Sequence, residues 1–297
     1  MIVTFGTVAL DTTRTPFKTV ERILGGAATY NAIAASFFDK IGLIAIVGND
    51  FPENYRMILQ DKMDLTGFVT TDGKTFYFDS QFDYDLSKRT ALVTEENVIK
   101  TFEPKVPEEY KKADFVYLGN NNPKQNTKIL EQFDHPKITV CDTIEYWIQK
   151  SRDDVIKMIS NTRGVVLNDD EVRMLFKTHN LIKCARKVLE LGPEFIIIKK
   201  GEHGAIFFSN DIIFLAPGYP LDTVVDPTGA GDSFAGGFLG HIGRKNSIDQ
   251  KTLKEAVIYG NVMGSFAVED FGINKFLTIT NETIEERYKI YREFLTF

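Results

Sequence analysis

The chain has 297 residues, of which 43% are hydrophobic and 26% charged, and its net charge is −6. That is enough apolar residue for a sizeable core, and without a dense Lys/Arg cluster it argues against nucleic acid or an anionic membrane as the main partner. No apolar run reaches the roughly 18 residues that a spanning helix needs, and Met1-Ile-Val-Thr-Phe-Gly lacks the basic region of a signal peptide, so a cytoplasmic protein is expected. Cys141 and Cys184 are too isolated to suggest a disulfide framework and are expected as free thiols in a reducing compartment. The four histidines are scattered without zinc-ligand spacing.

Taken in order, Ile2 to Ala9 reads as a buried first strand ending at Asp11. In a parallel sheet, ligands collect at the carboxyl ends of strands, so Asp11 is either a turn former or a hydroxyl binder. Thr12 to Leu24 has hairpin character around Thr15-Pro16. Gly25-Gly26 then opens a helix over Ala27 to Phe38. Ile41 to Val47 is a second strand, Glu53 to Met63 a helix, and Asp64-Leu-Thr-Gly67 closes the unit. This strand–helix alternation indicates a parallel sheet. From Phe68 to Phe102 the period changes to two, as in antiparallel strands with one wet face. Phe76, Phe78 and Phe82 fall here and are expected to line the inner side of that excursion.

Buried strands resume at Ala113 to Leu118, which ends in Gly119-Asn-Asn-Asn122, and at Lys137 to Cys141, which ends at Asp142. The asparagines suit either hydroxyl contacts or a turn. Arg163 to Leu167 is a strand followed by Asn168-Asp-Asp-Glu171, a capping-box pattern at a helix start. Asn180 to Leu191 reads as a helix and Glu194 to Lys199 as a strand, followed by a turn over Lys200 to Gly204. Ile212 to Val225 reads as a strand leading into Asp226-Pro-Thr-Gly-Ala-Gly-Asp232, and Ser233 to Ile242 as the helix leading out. Gln250 to Ala267 and residues 280–297 read as helices.

The stretch from 226 to 232 is the most informative. A Gly-rich turn feeding a helix start exposes N–H groups that have no partner within the helix, which makes an anion site. Asp232 is a carboxylate at that electropositive spot. As an N-cap it would contribute roughly 1 kcal/mol over Ala, but a cap leaves the density of Gly229, Ala230 and Gly231 unexplained. A site for phosphoryl transfer explains both features. The backbone would hold the transferring group, and Asp232 would take the proton of the attacking hydroxyl. With an ordinary pKa of about 3.9, such a base would need little tuning.

From Asp226 through Leu239 the segment resembles, without a gap, the C-terminal signature of the PfkB, or ribokinase-like, carbohydrate kinases. The resemblance extends in order over nearly the whole chain. It implies a single α/β domain over residues 1–297, a three-layer α/β/α sandwich with a mostly parallel sheet. A small antiparallel β lid would form from about 12–24 and 68–102. Transfer of the ATP γ-phosphate to a small sugar or polyol is implied, with Asp232 as base. Asp11, Gly25, Gly26 and Asp142 would bind the acceptor. Relatives resemble Gly-Gly-x-x-x-Asn at the doublet, where this chain has Tyr30, with Asn31 one residue later. That shift is about 100° around a helix, so Tyr30 is expected to face the acceptor beside Asn31. The nucleotide would be lined by Asn168, Lys199, Gly201, Gly204, Thr228 and Asn261. Glu171 and Asp226 would serve Mg²⁺ and, as in some relatives, K⁺. A homodimer through the lid is also implied. The alternatives are a nucleoside kinase, whose base Tyr30 and the lid aromatics would hold, and a non-catalytic sugar- or nucleotide-binding regulator.

Overall fold

In the computed structural model, which describes residues 1–296, period-two alternation decides which side of the central sheet each side chain faces. Nine strands form this sheet: β1 (Ile2–Phe5), β4 (Ile41–Gly48), β5 (Asp64–Thr71), β8 (Phe115–Leu118), β9 (Ile138–Cys141), β10 (Gly164–Asn168), β11 (Phe195–Lys199), β12 (Ala205–Ser209) and β13 (Ile213–Ala216). Their order is β13-β12-β11-β10-β9-β8-β1-β4-β5, parallel from β5 to β11 and antiparallel at β12 and β13. A second sheet, β3-β2-β6-β7, is built from β2 (Ala9–Arg14), β3 (Thr19–Gly25), β6 (Phe76–Phe82) and β7 (Arg89–Glu95).

Helices cover both faces of the large sheet. Ile2, Leu43, Phe115 and Ile197 point into one core with α1 (Ala27–Ser36), α2 (Glu53–Lys62), α8 (Ala230–Lys245), α9 (Gln250–Ala267) and α10 (Asn281–Phe294). Val3, Ile44, Val116 and Ile196 point into the other with α3 (Pro123–Leu130), α4 (Glu145–Lys150), α5 (Arg152–Ser160), α6 (Asp169–Phe176) and α7 (Leu181–Glu190). The result is the expected α/β/α sandwich, with both thiols buried and free.

Four expectations about elements are corrected. The first strand stops at Phe5, so Asp11 lies on β2 of the small sheet and not at the end of a central strand. Residues 64–71 form β5, an edge strand of the large sheet. An edge strand with one solvated face alternates much as a lid strand does, which hid its true partner. The small sheet is also not wholly antiparallel, because β2 and β6 run parallel. Finally, only Ile213–Ala216 of the run from 212 to 225 is strand. Pro217 and Pro220 lack the N–H that a ladder needs.

Candidate active site

The carboxyl ends of β9, β10 and β11 deliver Asp142, Asn168 and Lys199 to one edge of the sheet, and α8 begins beside them. Gly229 is the N-cap of α8 at φ 77°, a left-handed conformation that costs a side-chain-bearing residue energy. A Cβ there would also lie 2.3 Å from the Tyr30 ring. The N–H of Ala230 is taken by the Pro227 carbonyl at 3.3 Å. The N–H groups of Gly229, Gly231 and Asp232 have no partner among the described residues and remain free at this helix start.

Asp232 sits in the first turn of this helix. The Tyr117 hydroxyl donates to its Oδ1 at 3.2 Å. The Lys199 ammonium lies 2.8 Å from Asp142 Oδ2 and against the Cα of Gly231. Burial, reinforced by Asp142, pushes the Asp232 carboxyl up to about 6, although Lys199, Tyr117 and Arg89 pull it down. The expectation of an untuned aspartate is thus corrected: burial brings this carboxyl close to neutral pH. Burial alone would lower the Lys199 ammonium, but Asp142, Glu171 and Asp232 outweigh it and hold Lys199 above its ordinary value.

Asn168 and Glu171 form a complete capping box on α6. Glu171 N–H donates to Asn168 Oδ1 at 2.7 Å, and Asn168 N–H donates to Glu171 Oε2 at 2.8 Å. Burial and the neighbouring Asp142 raise the Glu171 carboxyl to about 8. Among the described residues no three acidic, histidine or cysteine side chains gather closely enough to hold a metal directly, so Glu171 would suit hydrated Mg²⁺ only through water. Asp226 is fully buried, and Thr228 N–H donates to its Oδ1 at 2.9 Å. Its Oδ2 and the Thr228 hydroxyl have no partner among the described residues. A buried anionic oxygen beside a free hydroxyl would suit a monovalent cation.

On the small sheet, Asp11 is 5% exposed, and a Cβ on Gly25 would lie 2.0 Å from its Oδ2. The carboxylate thus rests directly against Gly25. Burial raises Asp11 to about 7, with Arg89 and Gly26 opposing and Asp226 and Asp232 assisting. Arg89 was missed at the sequence level, where nothing distinguishes it from any arginine on an exposed strand. The Tyr30 hydroxyl is buried without a partner. Burial and the charges of Asp226, Asp11 and Asp232 raise it well above its ordinary value. The ring itself packs in the first core and against the N-cap Gly229.

Asn31 accepts from the Thr4 hydroxyl through its Oδ1 at 2.8 Å and donates to the Asp232 carbonyl through its Nδ2 at 3.3 Å. It ties α1 to the first turn of α8 and has no amide hydrogen-bonding group directed at an acceptor. Asn261 is likewise engaged, donating to the Pro217 carbonyl at 3.1 Å and the Tyr291 hydroxyl at 2.8 Å. Through its Nδ2 it anchors the loop after β13. Gly201 and Gly204 shape the turn after β11, both at positive φ.

A family model, the pfkB family carbohydrate kinase, matches residues 2–279. The chain belongs to the PfkB family. It is a kinase of a family whose members phosphorylate sugars and nucleosides with ATP. The cytidine kinase of Thermococcus kodakarensis is 29% identical over 254 residues, 84% of this chain and 91% of that protein. The fructokinase-2 of Zea mays is 29% identical over 127 residues, 41% of this chain and 37% of that protein. Among solved structures, a putative ribokinase II from E. coli in complex with ATP and Mg²⁺ superimposes with a TM-score of 0.79 at 21% identity, covering 97% of this chain and 99% of that one. Among the described residues no helix is long and apolar enough to cross a membrane.

Proposed function

We propose that this PfkB kinase transfers the ATP γ-phosphate to a hydroxyl of a nucleoside. The comparison with the Thermococcus cytidine kinase carries this reading. It extends over 91% of that protein and 84% of this chain, whereas the maize fructokinase aligns over 37% of its length and 41% of this chain. Acceptor specificity resides in the lid and the strand-end loops, so a likeness that spans them says more about the acceptor than one that does not.

In this reading the acceptor lies between the small sheet and the start of α8. Asp11 accepts from hydroxyls of the ribose and, resting against Gly25, fixes their position. Asp232 takes the proton of the attacking hydroxyl. The hydroxyl oxygen then forms its bond to the γ-phosphorus as the bond from phosphorus to the β–γ bridging oxygen breaks, and ADP leaves. The N–H groups of Gly231 and Asp232, with the Lys199 ammonium, face the charge on the transferring group. Asp142 holds Lys199 in place. Glu171 would hold Mg²⁺ through water, and the ion would supply neutralisation of phosphate charge. Tyr117 holds the Asp232 carboxylate by its hydrogen bond.

A small sugar or polyol as acceptor is the second reading, favoured by the fructokinase likeness. An ADP-release assay over nucleosides, fructose, ribose and inositol tests the two readings. ADP formed chiefly with nucleosides is the expected result, and ADP formed only with sugars would overturn the first reading. Ligand-induced melting shifts without any ADP release would mark a non-catalytic binding protein instead.

A further inference from the structure

Arg89 opens β7, a strand exposed along its whole length. Yet its guanidinium leans inward. It stands opposite Phe82 across the β6–β7 ladder and reaches back along β6 to lie 5.2 Å from the centroid of the Phe78 ring. Phe78 in turn is paired with Asp11 in the parallel β2–β6 ladder. Residues opposite one another in a ladder share a face of the sheet. The face turned toward the start of α8 therefore carries a row of three groups: a carboxylate, an aromatic ring and a guanidinium. The positive charge of Arg89 lowers the carboxyls of Asp11, Asp226 and Asp232.

Phe78 differs from its neighbours. Phe82 is buried in the protein and Phe76 packs against the second core, whereas Phe78 is half-buried and, among the described residues, packs against neither core. Its ring meets the guanidinium instead, an arrangement that holds the planar fork of an arginine in a fixed orientation. The row suits an acceptor with hydroxyls at one end and a flat heterocycle at the other. A plain sugar or polyol would engage only its carboxylate end.

We propose that Arg89, stacked on Phe78, reads the base of the acceptor, its fork donating to two adjacent acceptor atoms such as O2 and N3 of cytosine. This rests on the nucleoside reading above and adds the residue that selects among bases. Uracil presents an N3–H in place of a bare nitrogen, so the second donor of the fork meets another donor. Discrimination of about tenfold or more is the scale for losing one good bidentate contact.

The test is steady-state kinetics of wild type, Arg89→Lys, Arg89→Met and Phe78→Ala with cytidine, uridine, ribose and fructose, at saturating ATP. Wild type is expected to prefer cytidine to uridine. Both Arg89 variants should raise the KM for cytidine about tenfold or more and erase that preference, with the KM for ATP little changed. Arg89→Lys keeps a positive charge above the carboxylates but lacks the fork, so a general electrostatic role would leave its preference intact. Phe78→Ala should weaken the preference by releasing the guanidinium. An Arg89→Lys enzyme with the wild-type cytidine-to-uridine ratio, or a wild type active on nucleosides without that preference, overturns the proposal. A wild type active on sugars alone overturns the nucleoside reading beneath it.

Discussion

Replacing Asp232 with asparagine should abolish most turnover while making the protein more stable at neutral pH. The carboxyl rises from an ordinary 3.8 to about 6, chiefly through burial. A carboxyl whose folded pKa is raised binds its proton more tightly when folded, so its ionised form opposes folding. At pH 7 that opposition amounts to roughly 2 units at 1.36 kcal/mol each, about 3 kcal/mol as an upper figure. Asparagine keeps an oxygen to accept from Tyr117 and carries no charge. The variant should therefore melt several degrees higher at pH 7, and the gain should shrink as pH falls through 6 and vanish below about 4. Loss of a positioned base should lower kcat by about 10²- to 10⁴-fold, with ATP binding retained. Melting curves at pH 5 to 8, coupled ADP release and ATP titration read all three quantities. Near-normal turnover would refute Asp232 as the base, and a lower melting temperature at pH 7 would refute the account of its burial.

Lys199→Met removes the ammonium that holds Asp232 down, so the acidic limb of the kcat/KM profile, expected near pH 6 in wild type, should move upward; an unmoved limb would show that the limb belongs to another group. Gly229→Ala forces a Cβ against the Tyr30 ring at positive φ, so a loss of roughly 1–3 kcal/mol of stability is expected by chemical denaturation, together with a fall in kcat/KM; unchanged values for both would contradict the tight first turn of α8.

Much of the chemical half of the site is local in the chain, and that is why it was legible. Asp226 through Asp232 lie within seven residues, and the anion site, the base and the capping box of Asn168 and Glu171 each depend on neighbours in sequence. The acceptor half is not local. Asp11 was recognised but misplaced, because residues 6 to 8 interrupt an apolar run that reads as continuous, and only the pairing of β2 with β6 shows which sheet it joins. Asn31 and Asn261 carry amides that look available in sequence, and only the fold shows that Thr4, Asp232, Pro217 and Tyr291 already engage them. The role of Arg89 depends on a register, Asp11 against Phe78, that no spacing in the chain encodes.

The parallel pairing of β2 with β6 has a wider consequence for how this enzyme can change. Asp11 belongs to the same sheet as Phe78 and Arg89, so any rotation of that sheet moves the proposed hydroxyl ligand and the groups proposed to face the base together. Acceptor affinity and the position of the small sheet are then one equilibrium. If the binding-competent position is held only one part in a hundred of the time, the apparent affinity falls a hundredfold with every contact intact. Substitutions far out on β7 or β3 could thus retune which acceptors are used by shifting that balance, leaving Asp232, Lys199 and the start of α8 untouched. On the proposed assignment the reaction is anchored in the sandwich, and selectivity is free to drift in the four strands beside it.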